Sequence, residues 1–361
     1  MNEKASVRVL NASSDNRKSK IQSLSRTRIR DQKWAWISVI AFVLVVVGPV
    51  VQAQQPKKVP RIGYLTGSSP SANAARYEAF GQGLRELGYV EGKNIVIEYR
   101  YAEEKLDRLP VLAAELLRLN VEVIVTGGPA VTRAVVKEAT ATISIVMTQD
   151  PDPVGSGFVA SLARPGGNIT GLSTLSPEIS GKRLELLKEI VPKLSRVAVL
   201  GTSTRPGTAQ ELKEVELAAG AFGVELQYLD VLDPKDIETA FRAASKSRAD
   251  AVLMLASGGV VGPHQTTIIE LAVKSRLPVI YGTEGRAFVE AGGLMAYGVN
   301  VRDLDRRAAT YVDKILKGTK PGDIPVEQPK KFELVINLNA AKQIGLTIPP
   351  NVLARADKVM R

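Results

Sequence analysis

The chain has 361 residues, 45% of them hydrophobic, with no cysteine and a single histidine, His264. That length leaves room for two domains, and the composition excludes disulfide frameworks, thiolate metal sites and triads that need a cysteine or several histidines. Just over half of the net charge of +11 sits in a short leader: residues 1–33 hold nine basic and three acidic residues, whereas the much longer chain beyond residue 53 holds 39 basic and 34 acidic residues, interspersed. A basic leader on a nearly balanced body is not a nucleic-acid footprint, so no nucleic-acid partner is expected.

The leader ends in Arg26, Arg28, Arg30 and Lys33 and is followed by an uncharged run from Trp34 to Val51, then Val51-Gln52-Ala53. Basic region, apolar region and small-residue site in that order predict a secretory signal over 1–53, cut after Ala53, with 54–59 as a linker. The expected address is the periplasm. An uncleaved Trp34–Val51 anchor is the alternative, since its length is near the ~18–20 residues that span a bilayer. No cysteine follows the run, which excludes a lipoprotein anchor.

From residue 60 onward apolar runs alternate with amphipathic ones. RIGYLT (61–66) reads as a strand, and Tyr77, Phe80, Leu84 and Leu87 make one helical stripe that Gly88 ends. IVIEYRYA (95–102) is a strand, Leu109, Leu112 and Leu116 stripe a helix, and VIVTGG (123–128) is a strand with Pro129 opening the next helix. ISIVMTQD (143–150) closes the first set. A helix over 179–191 then leads to RVAVLGT (196–202), a helix with Leu212, Val215, Ala219 and Phe222, and VELQYLDV. Asp233 is placed to cap a helix carrying Ile237, Ala240, Phe241 and Ala244. AVLMLAS (251–257), a helix over 266–276, PVIYGT (278–283), GLMAYGVN (293–300), a helix over 304–316 and KFELVINL (331–338) complete the chain. Such alternation predicts parallel sheets with helices on both faces, and two successive sets predict two similar lobes.

The expected strand ends share a chemistry. In the first half they read Thr66-Gly67-Ser68-Ser69, Thr126-Gly127-Gly128 and Gln149-Asp150-Pro151-Asp152; in the second, Thr202-Ser203-Thr204, Ser257-Gly258-Gly259 and Thr283-Glu284. Ligands of open α/β sheets bind outside the carboxyl ends of strands, so two such rims face to face would form a polar cleft. Thr126-Gly127-Gly128 precedes a helix start and suits a carboxylate. Asp150 or Asp152 suits an ammonium. Gly155–Ala160 fits the dinucleotide pattern G-x-G-x-x-A but does not follow a strand directly, so it reads as turn chemistry and no cofactor is expected. His264 reads as a loop or helix-start residue. Glu284 with Arg286 is too sparse for acid–base catalysis, and Asp107-Arg108 and Lys182-Arg183-Leu184-Glu185 read as solvated helix faces.

Four longer segments carry a resemblance: YVEGKNIVIEYRYAEEKLDRLPVLAAELL, DPVGSGFVASLARPGGNITG, GKRLELLKEIVPK and KFELVINLNAAKQIGLTIPPNVLARADKVM. Through them the chain from about Pro60 to its end resembles the substrate-binding proteins of bacterial ABC importers, in the branch with tryptophan- and tyrosine-type binding proteins. The resemblance implies the type I periplasmic-binding-protein fold: two Rossmann-like lobes with parallel sheets, joined by a three-segment hinge. It implies a first lobe of 60–171 with 303–323 and a second of 172–302 with 324–361, with crossings near Gly171-Leu172, Val301–Asp303 and Ile324–Val326. The implied ligand loops hold Ser68, Ser69, Thr126, Gly127, Gly128, Gln149, Asp150 and Asp152 in the first lobe, and Ser203, Thr204, Ser257, Gly258, Thr283, Glu284, Tyr297 and Asn300 in the second. Relatives carry Asn-Pro-Asn-type and aromatic residues where this chain has Gly201–Arg205 and Gly258–Gly262, which implies a smaller-walled second-lobe pocket. The implied partners are a small-molecule ligand and an ABC permease in the inner membrane with its ATPase subunit, served by a monomeric receptor. The expectation is therefore a receptor, not an enzyme, that closes on an amino acid or similar carboxylate. Alternatives are a membrane-anchored sensing module and an exported hydrolase using Asp150 or Glu284 as base.

Overall fold

The computed structural model describes residues 59–139, 142–174, 176–205, 207–255, 260–282 and 285–361. The expected leader and its cleavage site therefore lie outside the described residues, as do Ser257, Gly258, Thr283 and Glu284.

Two sheets are present among the described residues. The first has the order β2-β1-β3-β4-β5, built from β1 (Arg61–Thr66), β2 (Val96–Tyr101), β3 (Val123–Gly127), β4 (Ser144–Asp150) and β5 (Ile169–Ser173). All its pairings are parallel. Parallel neighbours need long crossovers, supplied by α1 (Pro70–Glu86), α2 (Leu109–Arg118) and α3 (Pro129–Glu138). Alternation sends Ile62, Tyr64, Val123 and Val125 to one face, and Leu65, Ile124, Ile145 and Met147 to the other. The first face is covered by α1 and by α9 (Val301–Leu316), the second by α2 and α3. A sheet buried on both faces explains why these strands read as continuous apolar runs.

The second sheet is β12-β11-β10-β9-β8-β6-β7, from β6 (Arg196–Gly201), β7 (Glu225–Asp230), β8 (Ala251–Met254), β9 (Val279–Tyr281), β10 (Met295–Val299), β11 (Phe332–Asn337) and β12 (Lys358–Met360). One face packs on α4 (Ser176–Ile190) and α5 (Thr208–Phe222), with α10 (Leu338–Gln343) and α11 (Pro350–Leu353). The other packs on α6 (Pro234–Lys246), α7 (Gln265–Ser275) and α8 (Gly285–Glu290). Asp233 does cap α6: it accepts from Lys235 N at 3.3 Å, while Asp236 accepts from Asp233 N at 2.9 Å. His264 sits at the N-cap of α7. One pairing departs from the all-parallel expectation, because β11 runs antiparallel to β10. The chain leaves the second sheet at the carboxyl end of β10, builds α9 on the first, and returns to the same end, so β11 must run the opposite way.

Three crossings connect the sheets: β5 to α4, β10 to α9, and the stretch before β11. The first and third lie side by side. Thr170 Oγ1 donates to Ile324 O at 2.6 Å, Glu327 N to Gly171 O at 3.0 Å, and Ser173 N to Glu327 O at 2.9 Å. Gly171 has φ +139°, and a Cβ there would overlap Met147 O, so only glycine lets this crossing lie against β4. The α1–α9 contact is equally close: a Cβ on Gly83 would overlap Arg306 O and lie 2.9 Å from Ala309 Cβ.

Candidate functional site

A loop at the carboxyl end of β4 meets a loop after the carboxyl end of β6. Gly207, ahead of α5, lies so near the β4 loop that a Cβ on it would sit 3.2 Å from Pro151 Cγ. Pro151 follows Asp150 directly, which puts the end of β4 beside a loop of the second lobe.

Asp150 is fully buried. Its Oδ1 accepts from Asp152 N at 2.9 Å and from Ser156 Oγ at 3.4 Å, but its Oδ2 has no hydrogen-bond partner among the described residues. Burial pushes the carboxyl up to about 7, against the lowering effect of the two hydrogen bonds and of Arg133. A buried carboxylate oxygen without a donor carries a desolvation cost of several kcal/mol, so Asp150 is a cation-binding group in waiting. Asp152 differs: its Oδ1 accepts from Gly155 N at 2.8 Å, closing the 152–157 turn. That turn accounts for the G-x-G-x-x-A match, with Gly157 at φ +73°.

The remaining first-lobe candidates divide. Thr126 is buried, and its hydroxyl is 2.7 Å from Thr132 Oγ1, so it is spent inside the lobe. Gly127 and Gly128 remain at the rim, and Gly128 (φ +106°), the N-cap of α3, borders open space. Ser69 caps α1, accepting from Ala72 N at 3.4 Å, while Ser68 N donates to Thr66 Oγ1 at 3.4 Å. Gln149 is buried beside Asp150. The periodicity reading missed Arg76, whose Nη2 is 3.3 Å from where a Gly127 Cβ would be. Arg76 Nε donates to Asp305 Oδ2 at 2.7 Å and Nη1 to Asn73 Oδ1 at 2.9 Å; Tyr64 Oη donates to Asp305 Oδ1 at 2.6 Å.

In the second lobe, Ser203 is exposed and bonds Asp230 through N (2.8 Å) and Oγ (2.5 Å), and Thr204 is exposed beside it. Tyr297 offers its carbonyl to Arg183 Nε at 2.8 Å. Asn300 caps α9 by accepting from Asp303 N at 3.1 Å and donates to Glu333 Oε1 at 2.8 Å. One sequence reading is corrected here. Lys182 and Glu185 form a half-exposed pair at 2.5 Å, but Arg183 is not on the solvated face of α4: it is fully buried. Ile179, Leu186, Leu187 and Ile190 are buried with it. Their spacing from Arg183 was the available signal, since a charge at i+4 from one apolar position and i−3 from another belongs to the stripe. Glu211, four residues before buried Val215, and Asp305, beside Leu304 and Ala308, follow the same rule and are also buried. Among the described residues no group of histidines and carboxylates could hold a metal ion.

Residues 67–360 match the family model described as ABC transporter substrate binding protein. The chain belongs to that family. The family's members are extracytoplasmic, bind small molecules and work with an ABC permease; they are binding proteins of transporters, not enzymes. This substrate-binding protein is 26% identical over 278 residues to the tyrosine-binding protein of Clostridioides difficile (strain R20291), covering 77% of this chain and 78% of that one. A conserved domain protein from Vibrio cholerae O1 biovar El Tor superposes with a TM-score of 0.77 at 30% identity, over 84% of this chain and 100% of that one. A domain from Streptococcus pneumonia in complex with L-Trp gives 0.77 at 24% identity, over 83% and 99%. Solved periplasmic binding proteins thus share the two-lobed α/β fold. Among the described residues no helix is long and apolar enough to cross a membrane.

Proposed function

We propose that this chain is the ligand receptor of an ABC importer and that its ligand is an amino acid held between the lobes. The observation that carries the ligand class is Asp150: a fully buried carboxylate with one unsatisfied oxygen, at a strand end, beside the loop of the opposite lobe. A ligand ammonium supplies the missing donor. The relatives named for tyrosine and complexed with tryptophan support the same class. The rim residues Ser68, Ser69, Gly127, Gly128, Gln149, Ser203, Thr204, Ser257, Gly258, Thr283, Glu284, Tyr297 and Asn300 border the ligand in this reading. Thr126 and Asp152 support the loops. The lobe limits inferred from the resemblance belong to the same proposal.

Binding stabilises the closed arrangement by its differential affinity for it, with the three crossings as the hinge. The protein works as a periplasmic monomer, released from its leader after Ala53, and passes its ligand to the inner-membrane permease. The test is thermal unfolding with each of the twenty L-amino acids. A ligand at 100 times its Kd adds about 2.7 kcal/mol to stability and raises Tm by several degrees. A panel with no shift would remove the amino-acid reading.

A further inference from the structure

The second lobe holds a buried guanidinium with an unused donor. Arg183 reaches from α4 to β10. Its Nε donates to Tyr297 O on β10 at 2.8 Å. Its Nη1 donates to Ser180 Oγ at 3.1 Å. Its Nη2 is buried and has no partner among the described residues. Its charged neighbours are Glu211 and Arg205. Arg205, from the loop after β6, pairs with Glu211 at 2.9 Å, and Glu211 is fully buried. Burial lowers Arg183 to about 10, with Arg205 adding to that shift and Glu211 opposing it. A buried guanidinium donor without an acceptor is costly until an anion joins it.

The first lobe holds the complementary orphan, the acceptor Asp150 Oδ2. Arg205, a charged neighbour of Arg183, lies in the loop that meets the Asp150 loop: Gly207, two residues after Arg205, packs on Pro151, one residue after Asp150. No ion pair joins Asp150 to Arg183 or Arg205 among the described residues.

We infer that Arg183 is the anion-binding group of the second lobe, and that a bound amino acid lies with its carboxylate on Arg183 Nη2 and its ammonium on Asp150 Oδ2. This rests on the amino-acid reading above and fixes the orientation within it. A zwitterion satisfies both orphan atoms at once only when the lobes are together, so the backbone of the ligand, common to all amino acids, drives closure and the side chain is left to select.

The test compares free L-amino acids with their α-carboxamides by calorimetric titration of the wild-type protein, R183K and R183Q. For every amino acid that binds the wild type, the amide is expected to bind at least ~10-fold more weakly, the value of one charged hydrogen bond at its low end. In R183Q that preference should disappear, and in R183K it should shrink. An undiminished acid preference in a folded R183Q protein, or equal binding of acid and amide by the wild type, overturns the orientation while leaving the amino-acid function standing. No binding of any amino acid overturns both. Should neither variant fold, a crystal structure of the wild-type complex decides: a carboxylate within hydrogen-bond distance of Arg183 supports the assignment, and one seated on Gly127–Gly128 instead overturns it.

Discussion

Replacing Asp150 by asparagine should make the empty protein more stable at neutral pH, not less. The carboxyl is pushed from 3.8 to about 7 chiefly by burial. A group raised in the folded state binds its proton there while the unfolded chain has released it. Its contribution to stability is therefore fully present below pH 3.8 and is lost as pH rises through 7. At about 1.4 kcal/mol per pH unit, ligand-free wild type should lose about 3 kcal/mol between pH 5 and pH 8 from this group alone. Asparagine copies the neutral form: it still accepts from Asp152 N and Ser156 Oγ, and it has no charge to desolvate. Urea unfolding of both proteins at pH 5, 6, 7 and 8 provides the measurement. The stability difference, variant minus wild type, should grow by about 3 kcal/mol across that range. A difference that stays flat would refute the claim that Asp150 is buried without a partner for its charge. The same variant should bind amino acids at least ~10-fold more weakly, because the charged partner of the ammonium is gone.

Other changes separate binding from scaffolding. Asp152→Ala removes only the acceptor for Gly155 N, so titration calorimetry should show affinity within about two-fold of wild type and denaturation a loss of about 1 kcal/mol. Gly83→Ala inserts a methyl against Arg306 O and Ala309, and thermal unfolding should report a cost of about 1–3 kcal/mol or more as α1 is pushed off α9. Mass spectrometry of the exported protein should find Gln54 as its first residue; retention of Trp34–Val51 would favour the anchored sensing module instead.

Much of the fold was legible because a doubly covered sheet leaves a plain signature. RIGYLT became β1 at its stated bounds, and Pro129 and Asp233 opened their helices where their side-chain chemistry requires. The direction of β11 was not legible, since apolar alternation carries no sense of direction and the reversal follows from where the chain re-enters the sheet. Three-residue β12 is too short to show a period. At the site, Asp150 stood out by position, but its difference from Asp152 lies in which backbone N–H each carboxylate accepts. Arg183 reads as exposed by its charge alone; its place on the stripe of Ile179, Leu186 and Leu187 is the signal of its burial.

The pairing of Asp150 with a ligand ammonium is tested most directly by counting protons. Near pH 6, Asp150 is mostly protonated in the empty protein, since burial raises it to about 7. An arriving ammonium must displace that proton. Titration of each amino acid that raises the melting temperature, in buffers of different ionisation enthalpy, should show one ligand per chain and release of close to one proton for each ligand bound. Asp150→Asn should abolish the release. Binding with no dependence on the buffer, or a release unchanged in the variant, would contradict the assignment of Asp150 as the group that receives the ligand.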